Sequence, residues 1–281
     1  MRPDAMIYSE NTQKKYFVRS QRARLVLRFC VLLSVVGIVL CLAGCRAPAE
    51  PRITGIETRP PMPAGYRVVV GRSVENRPIE TVVLGTGSDV VLIMATIHGS
   101  EPAGTALVEY LSDHLSRDGS LLERGRIVIV PVVNPDGMVL NSRFNARGVD
   151  LNRNFSADNR QNNRRNGMTA LSEPEARVIF QLISRCRPDR IVTIHQPLSC
   201  IDYDGPAKAL AERMARYCDL PVRKVGARPG SLGSFAGETL GIPIVTLELR
   251  KNDDELAAQQ LWDRYGRALL AAVAFPGNIE R

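Results

Sequence analysis

One short apolar run places the strongest limit on this fold, because it ends abruptly at two polar side chains. Residues 90–95 (VVLIMA) are uninterruptedly apolar and have the length of a buried strand. His98 and Glu101 follow at once, and apolar residues at helical spacing begin beyond Pro102. An imidazole and a carboxylate three residues apart, where a strand gives way to a helix, can converge on one point.

Strand-like and helix-like segments alternate along most of the chain. The predicted strands are residues 66–70, 79–84, 90–95, 127–132, 191–194 and 244–249, and the predicted helices begin after Pro102 and Ser172 and cover residues 206–217 and 254–274. This alternation predicts an α/β fold in which a mixed, mainly parallel sheet carries helices on both faces. Ligands of such sheets bind beyond the carboxyl ends of the strands. His98, the loop from Asn134, His195 and Glu248 all fall at such ends.

The N-terminal region has the composition of an export signal. Residues 1–28 hold seven basic and two acidic residues, a net of +5, so the remaining residues carry +3 of the total of +8. An apolar run over residues 29–43 follows, and it ends in Leu42-Ala43-Gly44-Cys45, which resembles the lipobox of bacterial lipoproteins. We expect a signal peptide over residues 1–45 and lipidation at Cys45, which would anchor the domain to a membrane on its periplasmic face. An uncleaved anchor helix over residues 25–45 is the alternative.

The segment after the leader reads as a tether. Residues 46–63 contain five prolines in 18 positions, which favours an extended chain. The folded domain is then residues 64–281, enough for one hydrophobic core. Because most of the excess charge lies in the leader and no nucleic-acid motif accompanies the rest, we expect no nucleic-acid partner.

Two of the three histidines follow predicted strands. These are His98 and His195, whereas His114 lies within a helix and is given no role. Zinc accepts two histidines and a glutamate and leaves a fourth position for water. His98, Glu101 and His195 are therefore a candidate site for one zinc ion, and the alternative is two structural histidines and a glutamate at a helix start. Cys186, Cys200 and Cys218 show no metal-like spacing, and their pairing is left open.

A carboxylate also stands in an apolar strand near the C-terminus. Glu248 lies within residues 244–249, where a buried charge is costly unless it is paired or functional. Water activated by zinc needs a general base, for which Glu248 is the candidate. The alternative is a strand-end glutamate paired with Arg250 or Lys251.

The polar segment of residues 134–170 is too long for a passive connection, which indicates a functional loop. Its first half carries Arg143, Arg147, Asn152 and Arg153. Guanidinium groups bind carboxylates and stabilise oxyanions. A merely solvated basic loop is the alternative, and it suits residues 160–165 better.

Taken together, these segments resemble the zinc metallocarboxypeptidases. Five motifs occur in the family's order and cover most of residues 65–275: His98-Gly99-Ser100-Glu101, Asn134-Pro135-Asp136-Gly137, GVDLNRNF at residues 148–155, Ser172-Glu173-Pro174-Glu175 and Thr246-Leu247-Glu248. The 93 residues between Glu101 and His195, and the segment 230–235, resemble the compact bacterial branch, the murein peptide amidases. This resemblance implies a zinc-carboxypeptidase-like fold and hydrolysis of an amide bond next to a free carboxylate, namely the γ-D-glutamyl–diaminopimelate bond of murein peptides.

The resemblance also implies a role for each matched residue in cleaving a peptide substrate. The matches are His98, Glu101 and His195 as zinc ligands, Asp150 as the acid that orients the first histidine, Arg143 as the group that polarises the carbonyl, Asn152 and Arg153 as the pair that binds the terminal carboxylate, and Glu248 as the general base. Gln196 departs from the amidases, which usually carry an acid there, and Tyr203 is the candidate for the family's mobile tyrosine. Glu238, Asp202 or Asp204 are candidates for pairing with the amine of a diaminopimelate or lysine side chain, with surface acids as the alternative.

Two other functions remain open on the sequence alone. An N-acyl amino acid deacylase of the succinylglutamate desuccinylase or aspartoacylase type shares the HGxE and DLNR patterns and the zinc. The NPDG and GVDLNRNF segments and the expected export favour the peptidase. A non-catalytic lipoprotein that binds peptides is the other alternative, against which the full set of ligand, arginine and base positions argues.

Overall fold

The central strands are apolar at nearly every position, as a sheet covered on both faces requires. The computed structural model describes residues 65–277 and residue 279, and within them seven strands form one sheet. The strands are β1 (Tyr66–Arg72), β2 (Pro78–Leu84), β3 (Asp89–Ala95), β4 (Gly125–Val130), β5 (Arg190–His195), β6 (Leu198–Asp204) and β7 (Ile244–Arg250). Their order across the sheet is β1-β2-β4-β3-β5-β7-β6.

Parallel pairing is confined to the middle of the sheet. Strands β4, β3, β5 and β7 run parallel. The β1–β2 hairpin joins β4 antiparallel on one side, and β6 joins β7 antiparallel on the other. The predicted mixed sheet is confirmed, with its parallel part at the centre, where β3, β4 and β5 are buried at nearly every position.

Alternate side chains of the central strands enter two separate cores. The helices are α1 (Ala103–Arg117), α2 (Pro135–Val139), α3 (Pro174–Cys186), α4 (Lys208–Ala215) and α5 (Ala258–Ala274), with a π-helix over Gly233–Thr239. Val91 and Ile93 pack in the core that includes α1, α4 and α5. Leu92 and Met94 pack in the core that includes α3 and the π-helix. Because a strand alternates its faces at every residue, this division confirms helices on both sides of the sheet.

Local predictions were less accurate where polar contacts from distant residues intervene. The helix predicted to begin after Ser172 starts one residue later, because Glu173 occupies the cap position and α3 begins at Pro174. The side chain of Asn154 explains the difference: its Nδ2 donates to Ser172 Oγ (3.0 Å), and its Oδ1 accepts the Glu173 N–H (3.1 Å). The terminal helix starts at Ala258, because Asp253–Glu255 form a separate 3₁₀ turn.

Several predictions concern residues outside the described part of the chain. The signal peptide of residues 1–45, lipidation at Cys45 and the tether of residues 46–63 all lie there. In the part that is described, no helix combines the length and the apolar character needed to cross a membrane.

Candidate metal centre and substrate cleft

The carboxyl ends of β3, β5 and β7 bring the predicted site residues to one edge of the sheet. His195 is the last residue of β5 and pairs in register with Glu248 of β7. Strand β3 ends at Ala95, and buried Thr96 turns the chain toward His98 with a φ of +51°. A β-branched residue rarely adopts this left-handed conformation, and such strain is concentrated at functional sites.

A close backbone contact joins the first two sequence motifs. A Cβ on Gly99 would lie 1.9 Å from the carbonyl carbon of Gly137, so only glycine permits this approach. The Asn134 side chain closes the turn by accepting the Gly137 N–H at 2.9 Å. The corner that carries His98 is therefore braced by the NPDG turn.

Three side chains meet in the arrangement of a possible metal-binding triad. Candidate ligand atoms of His98, Glu101 and His195 lie within 4.8 Å of one another, and all three residues are buried. Nδ1 of His98 lies 2.8 Å from Glu101 Oε1, and Nδ1 of His195 lies 2.9 Å from Glu101 Oε2. The two Nδ1 atoms are 3.1 Å apart. Ligation of zinc by these three residues stays a prediction, and their closeness is what such a site requires.

The donor set fits a divalent cation. Nε2 of His98 lies 3.2 Å from Asp150 Oδ1, so that a cation bound at Nδ1 would leave the ring proton on Nε2, where Asp150 accepts it. Burial raises the pKa of Glu101, but hydrogen bonds from His195 and His98 outweigh it and hold that pKa well below the usual range. Burial lowers the pKa of His98, but its hydrogen bonds to Asp150 and Glu101 give a net rise. A buried carboxylate beside two imidazole nitrogens that can each offer a lone pair favours a positive charge between them.

Asp150 connects the triad to Arg143. Its Oδ1 accepts from His98 and from the Asn152 N–H (3.1 Å), while Oδ2 accepts from Arg143 Nε (2.9 Å). Burial raises the pKa of Asp150, but the His98 hydrogen bond and the nearby positive charges lower it well below its usual range. Arg143 Nη1 lies 3.5 Å from Glu101 Oε1, so this guanidinium stands at the edge of the triad.

The predicted carboxylate-binding pair lies on the 3₁₀ turn that follows Asp150. Asn152 Oδ1 accepts the Leu232 N–H at 2.9 Å. Burial lowers the pKa of Arg153; the charge of Asp150 opposes this shift, whereas the charges of Arg143 and other arginines add to it. A half-buried guanidinium in positive surroundings is suited to bind an anion.

Glu248 lies beside the triad, and no lysine or arginine in the described part of the chain forms an ion pair with it. Its Oε2 accepts the Leu198 N–H at 3.3 Å, and burial raises the pKa of its carboxyl group. The alternative pairing with Arg250 is not found, because that guanidinium donates to Asp219 Oδ2 at 3.0 Å. A carboxylate with a raised pKa next to a candidate metal site is what a general base requires.

Seven of the eight residues predicted for the catalytic site line one cleft of about 480 Å³, and only Asp150 does not line it. Sequence reasoning missed β6 and the loop of residues 225–229, which form a further wall of this cleft. The alternation of apolar and polar residues over 201–204 was the available signal for that strand. Asp202 and Asp204 of β6 line the cleft, whereas Glu238 is exposed and lies outside its lining.

Other candidates have structural surroundings. Tyr203 does not line the cleft; it packs against the hydrophobic core, and Lys224 Nζ lies 5.5 Å from the centre of its ring. His114 contacts Trp262, as expected for a residue outside the site. Cys186, Cys200 and Cys218 are free thiols.

Comparison with known proteins agrees with this geometry. The sequence profile described as zinc carboxypeptidase matches residues 62–204. Murein peptide amidase A of Escherichia coli K12 is 36% identical over 187 residues, which are 60% of this chain and 74% of that protein. Murein peptide amidase A of Vibrio campbellii is 31% identical over 193 residues, which are 62% and 75% of the two chains.

Solved structures extend the likeness to the fold. The murein-tripeptide amidase MpaA from Escherichia coli O157 superposes with a TM-score of 0.59 and 28% identity, and the match covers 80% of this chain and 97% of that one. Carboxypeptidase A from Helicoverpa armigera shares the fold with a TM-score of 0.63 and 23% identity, over 75% of this chain and 69% of that chain. The chain therefore belongs to the zinc carboxypeptidase family of hydrolases.

Proposed function

We propose that this protein is a zinc-dependent amidase that cleaves murein peptides at the γ-D-glutamyl–diaminopimelate bond, next to a free carboxylate. The observation that carries the proposal is the convergence of His98, Glu101 and His195 on a cleft that also contains Glu248 and Arg153. The relatives named murein peptide amidase support the choice of substrate.

One zinc ion fits the residues of this site. Two imidazoles and a carboxylate are the ligands of catalytic zinc in several peptidases, and the contact of His98 Nε2 with Asp150 directs its Nδ1 toward Glu101 and His195. When bound, zinc polarises the scissile carbonyl and lowers the pKa of water. The chain's own residues must then move the protons and hold the substrate.

Glu248 is the proton carrier in this proposal. Its carboxylate takes a proton from the attacking water and passes it to the leaving amine of the released residue. Burial raises the pKa of this group, which makes its carboxylate a stronger base toward the attacking water than an ordinary glutamate. The amide C–N bond breaks as the hydroxyl of water joins the carbonyl carbon and its proton goes to the amine, so no other reactant is needed.

The arginines supply the positive charges that the reaction needs. Arg143 lies beside the triad, where its guanidinium stabilises the negative charge that develops on the carbonyl oxygen. Asn152 and Arg153, which line the same cleft, hold the terminal carboxylate of the substrate. Binding by this pair sets which bond faces Glu248.

The test uses purified protein with the murein tripeptide L-alanyl-γ-D-glutamyl-meso-diaminopimelate. We expect release of free diaminopimelate, detected by mass spectrometry. Glu248→Gln should lower turnover by about 10²–10⁴-fold while the bound zinc is retained. Glu212→Gln, an exposed change on α4, is the control and should leave turnover unchanged. Full activity of Glu248→Gln would exclude that residue as the base. Hydrolysis of N-acyl amino acids without cleavage of the tripeptide would favour the deacylase.

The leader motif supports a site of action outside the cytoplasm. Lipidation at Cys45 would tether the catalytic domain to a membrane where murein is accessible. Metabolic labelling with a radioactive fatty acid should label the wild-type protein but not Cys45→Ser. Equal labelling of both proteins, or of neither, would contradict lipidation at this cysteine.

A further inference from the structure

We propose that Asp204, at the end of β6, is the specificity residue that binds a cationic amine on the side chain of the residue released by hydrolysis. This inference rests on the proposed function, because it assigns a recognition group to the same cleft. With Asp204 in this role, the enzyme prefers a substrate that carries the amine over a nearly identical substrate that lacks it.

The first observation is a buried carboxylate that lacks a partner. Asp204 lines the cleft with only 5% of its surface exposed. Within residues 65–277 and 279, no hydrogen-bond partner reaches its Oδ1. A buried charge without a partner is costly, so the position favours a ligand that brings both a positive charge and N–H donors.

The two neighbouring acids are already engaged by the backbone. Asp202 Oδ1 accepts the Val225 N–H at 2.7 Å and the Tyr203 N–H at 2.9 Å, so this carboxylate holds the loop that walls the cleft. Glu238 Oε1 accepts the Gly205 N–H at 3.3 Å, and its side chain lies outside the cleft lining. Of the three candidate acids, only Asp204 both lines the cleft and, within the described residues, carries a fully buried oxygen without a hydrogen-bond partner.

The packing around Asp204 depends on a glycine. A Cβ on Gly233 would lie 2.0 Å from Asp204 Oδ2, so any larger residue would displace the carboxylate. The next residue back, Leu232, donates its N–H to Asn152. The carboxylate-binding pair and Asp204 therefore flank the same short segment. A substrate held by its terminal carboxylate at Asn152 and Arg153 would place its side chain toward Asp204.

The electrostatic surroundings give this site a distinctive pH dependence. Burial raises the pKa of Asp204 to about 6, and the charges of Asp202 and Glu238 add to the shift while Lys224 opposes it. Above that pH the carboxylate is ionised and can bind an ammonium group. As the pH falls through about 6 the carboxyl becomes neutral, and the preference for a cationic side chain should decline.

The experiment compares two dipeptides that differ by one amine. These are γ-D-glutamyl-meso-diaminopimelate and γ-D-glutamyl-(S)-2-aminopimelate, which have the same carboxylates and chain length. At pH 7.5 the wild-type protein should prefer the first in kcat/KM by about 10- to 100-fold, the range of a hydrogen bond between charged groups. In Asp204→Asn the ratio should approach one. Glu238→Gln, the matched control, should keep the wild-type ratio.

Each outcome has a definite meaning. A wild-type ratio near one, or an unchanged ratio in Asp204→Asn, overturns the inference while leaving the proposed function intact. If Asp204→Asn does not fold, the wild-type ratio between pH 5 and 8 decides: a fall below pH 6 supports the inference, and a flat ratio overturns it. If neither dipeptide is cleaved, the proposed function fails. Calorimetric binding of free diaminopimelate against 2-aminopimelate then judges Asp204 separately, and equal affinities overturn its role.

Discussion

Replacing Asp150 by asparagine removes a negative charge at the point where His98 and Arg143 meet. The asparagine Oδ1 can still accept from His98 Nε2 and from the Asn152 N–H, so both of these contacts are retained. The new Nδ2 group would face Arg143 Nε, which lies 2.9 Å from the native carboxylate oxygen. Two donors would then oppose each other, and Arg143 would lose its anchor.

The size of the effect follows from these contacts. The lost hydrogen bond between charged groups contributes about 1.5–3 kcal/mol, and the lower end applies because the Arg143 side chain is 33% exposed. That value corresponds to about a tenfold loss. Groups that orient a metal-bound histidine typically change metal affinity or activity by about 10- to 100-fold. We therefore expect zinc affinity to fall about tenfold, and kcat/KM at saturating zinc to fall about 100-fold.

The assay combines zinc competition against a chromogenic chelator with turnover of the murein tripeptide. Asp158→Asn is the control, because Asp158 is exposed on the same loop, and it should change neither quantity. Circular dichroism of both variants checks that the fold is kept. Wild-type zinc affinity and kcat/KM in Asp150→Asn would refute the assigned role, as would equal losses in the control.

Two predictions concern stability. Arg190→Met should lower the free energy of unfolding by about 3–5 kcal/mol in urea titrations. The reason is that buried Arg190 binds both oxygens of Asp89 and two carbonyls at the end of α5. The control, Arg185→Met at an exposed position, should change it by at most about 0.5 kcal/mol. Burial and the hydrogen bond to Asp253 raise the pKa of Tyr265. Since the unfolded chain then loses the phenol proton first, stability should decline above about pH 10. Tyr265→Phe should make that decline smaller, and an unchanged decline would contradict this origin.

The central sheet could be predicted from sequence because its strands are apolar at nearly every position. Residues 90–95 and 244–249 were placed within one residue of their ends, at Asp89–Ala95 and Ile244–Arg250. A strand that is buried on both faces is a continuous apolar run, which can be recognised from the local sequence alone. Helix α1 likewise follows from a regular apolar face, and it begins directly after Pro102, as predicted.

The parts that were missed depend on contacts between distant residues. Strand β6 was missed because Asp202 and Asp204 interrupt it, so it shows only a short alternation with Ile201 and Tyr203 and not a continuous apolar run. The start of α3 depends on Asn154, which binds both Ser172 and Glu173 from another loop. The two contacts of Asn154 cannot be read from a short stretch of sequence, because 18 or 19 positions separate the partners.

The candidate site was found through motifs rather than periodicity. His195 lies 94 positions beyond Glu101, and propensities alone cannot bring the two together. Strand order explains their meeting, because β3 and β5 are parallel neighbours whose carboxyl ends coincide. The cleft also distinguishes two acids that the sequence left as equal candidates, because Asp204 lines it and Glu238 does not.

The most direct measurement locates the metal itself. Crystals of zinc-loaded protein, with diffraction recorded on both sides of the zinc absorption edge, give an anomalous map of the ion. We predict a single peak about 2.0–2.2 Å from ligand atoms of His98, Glu101 and His195. A map with no peak there, or with the zinc held by other side chains, would contradict the assignment of this edge of the sheet as the catalytic centre.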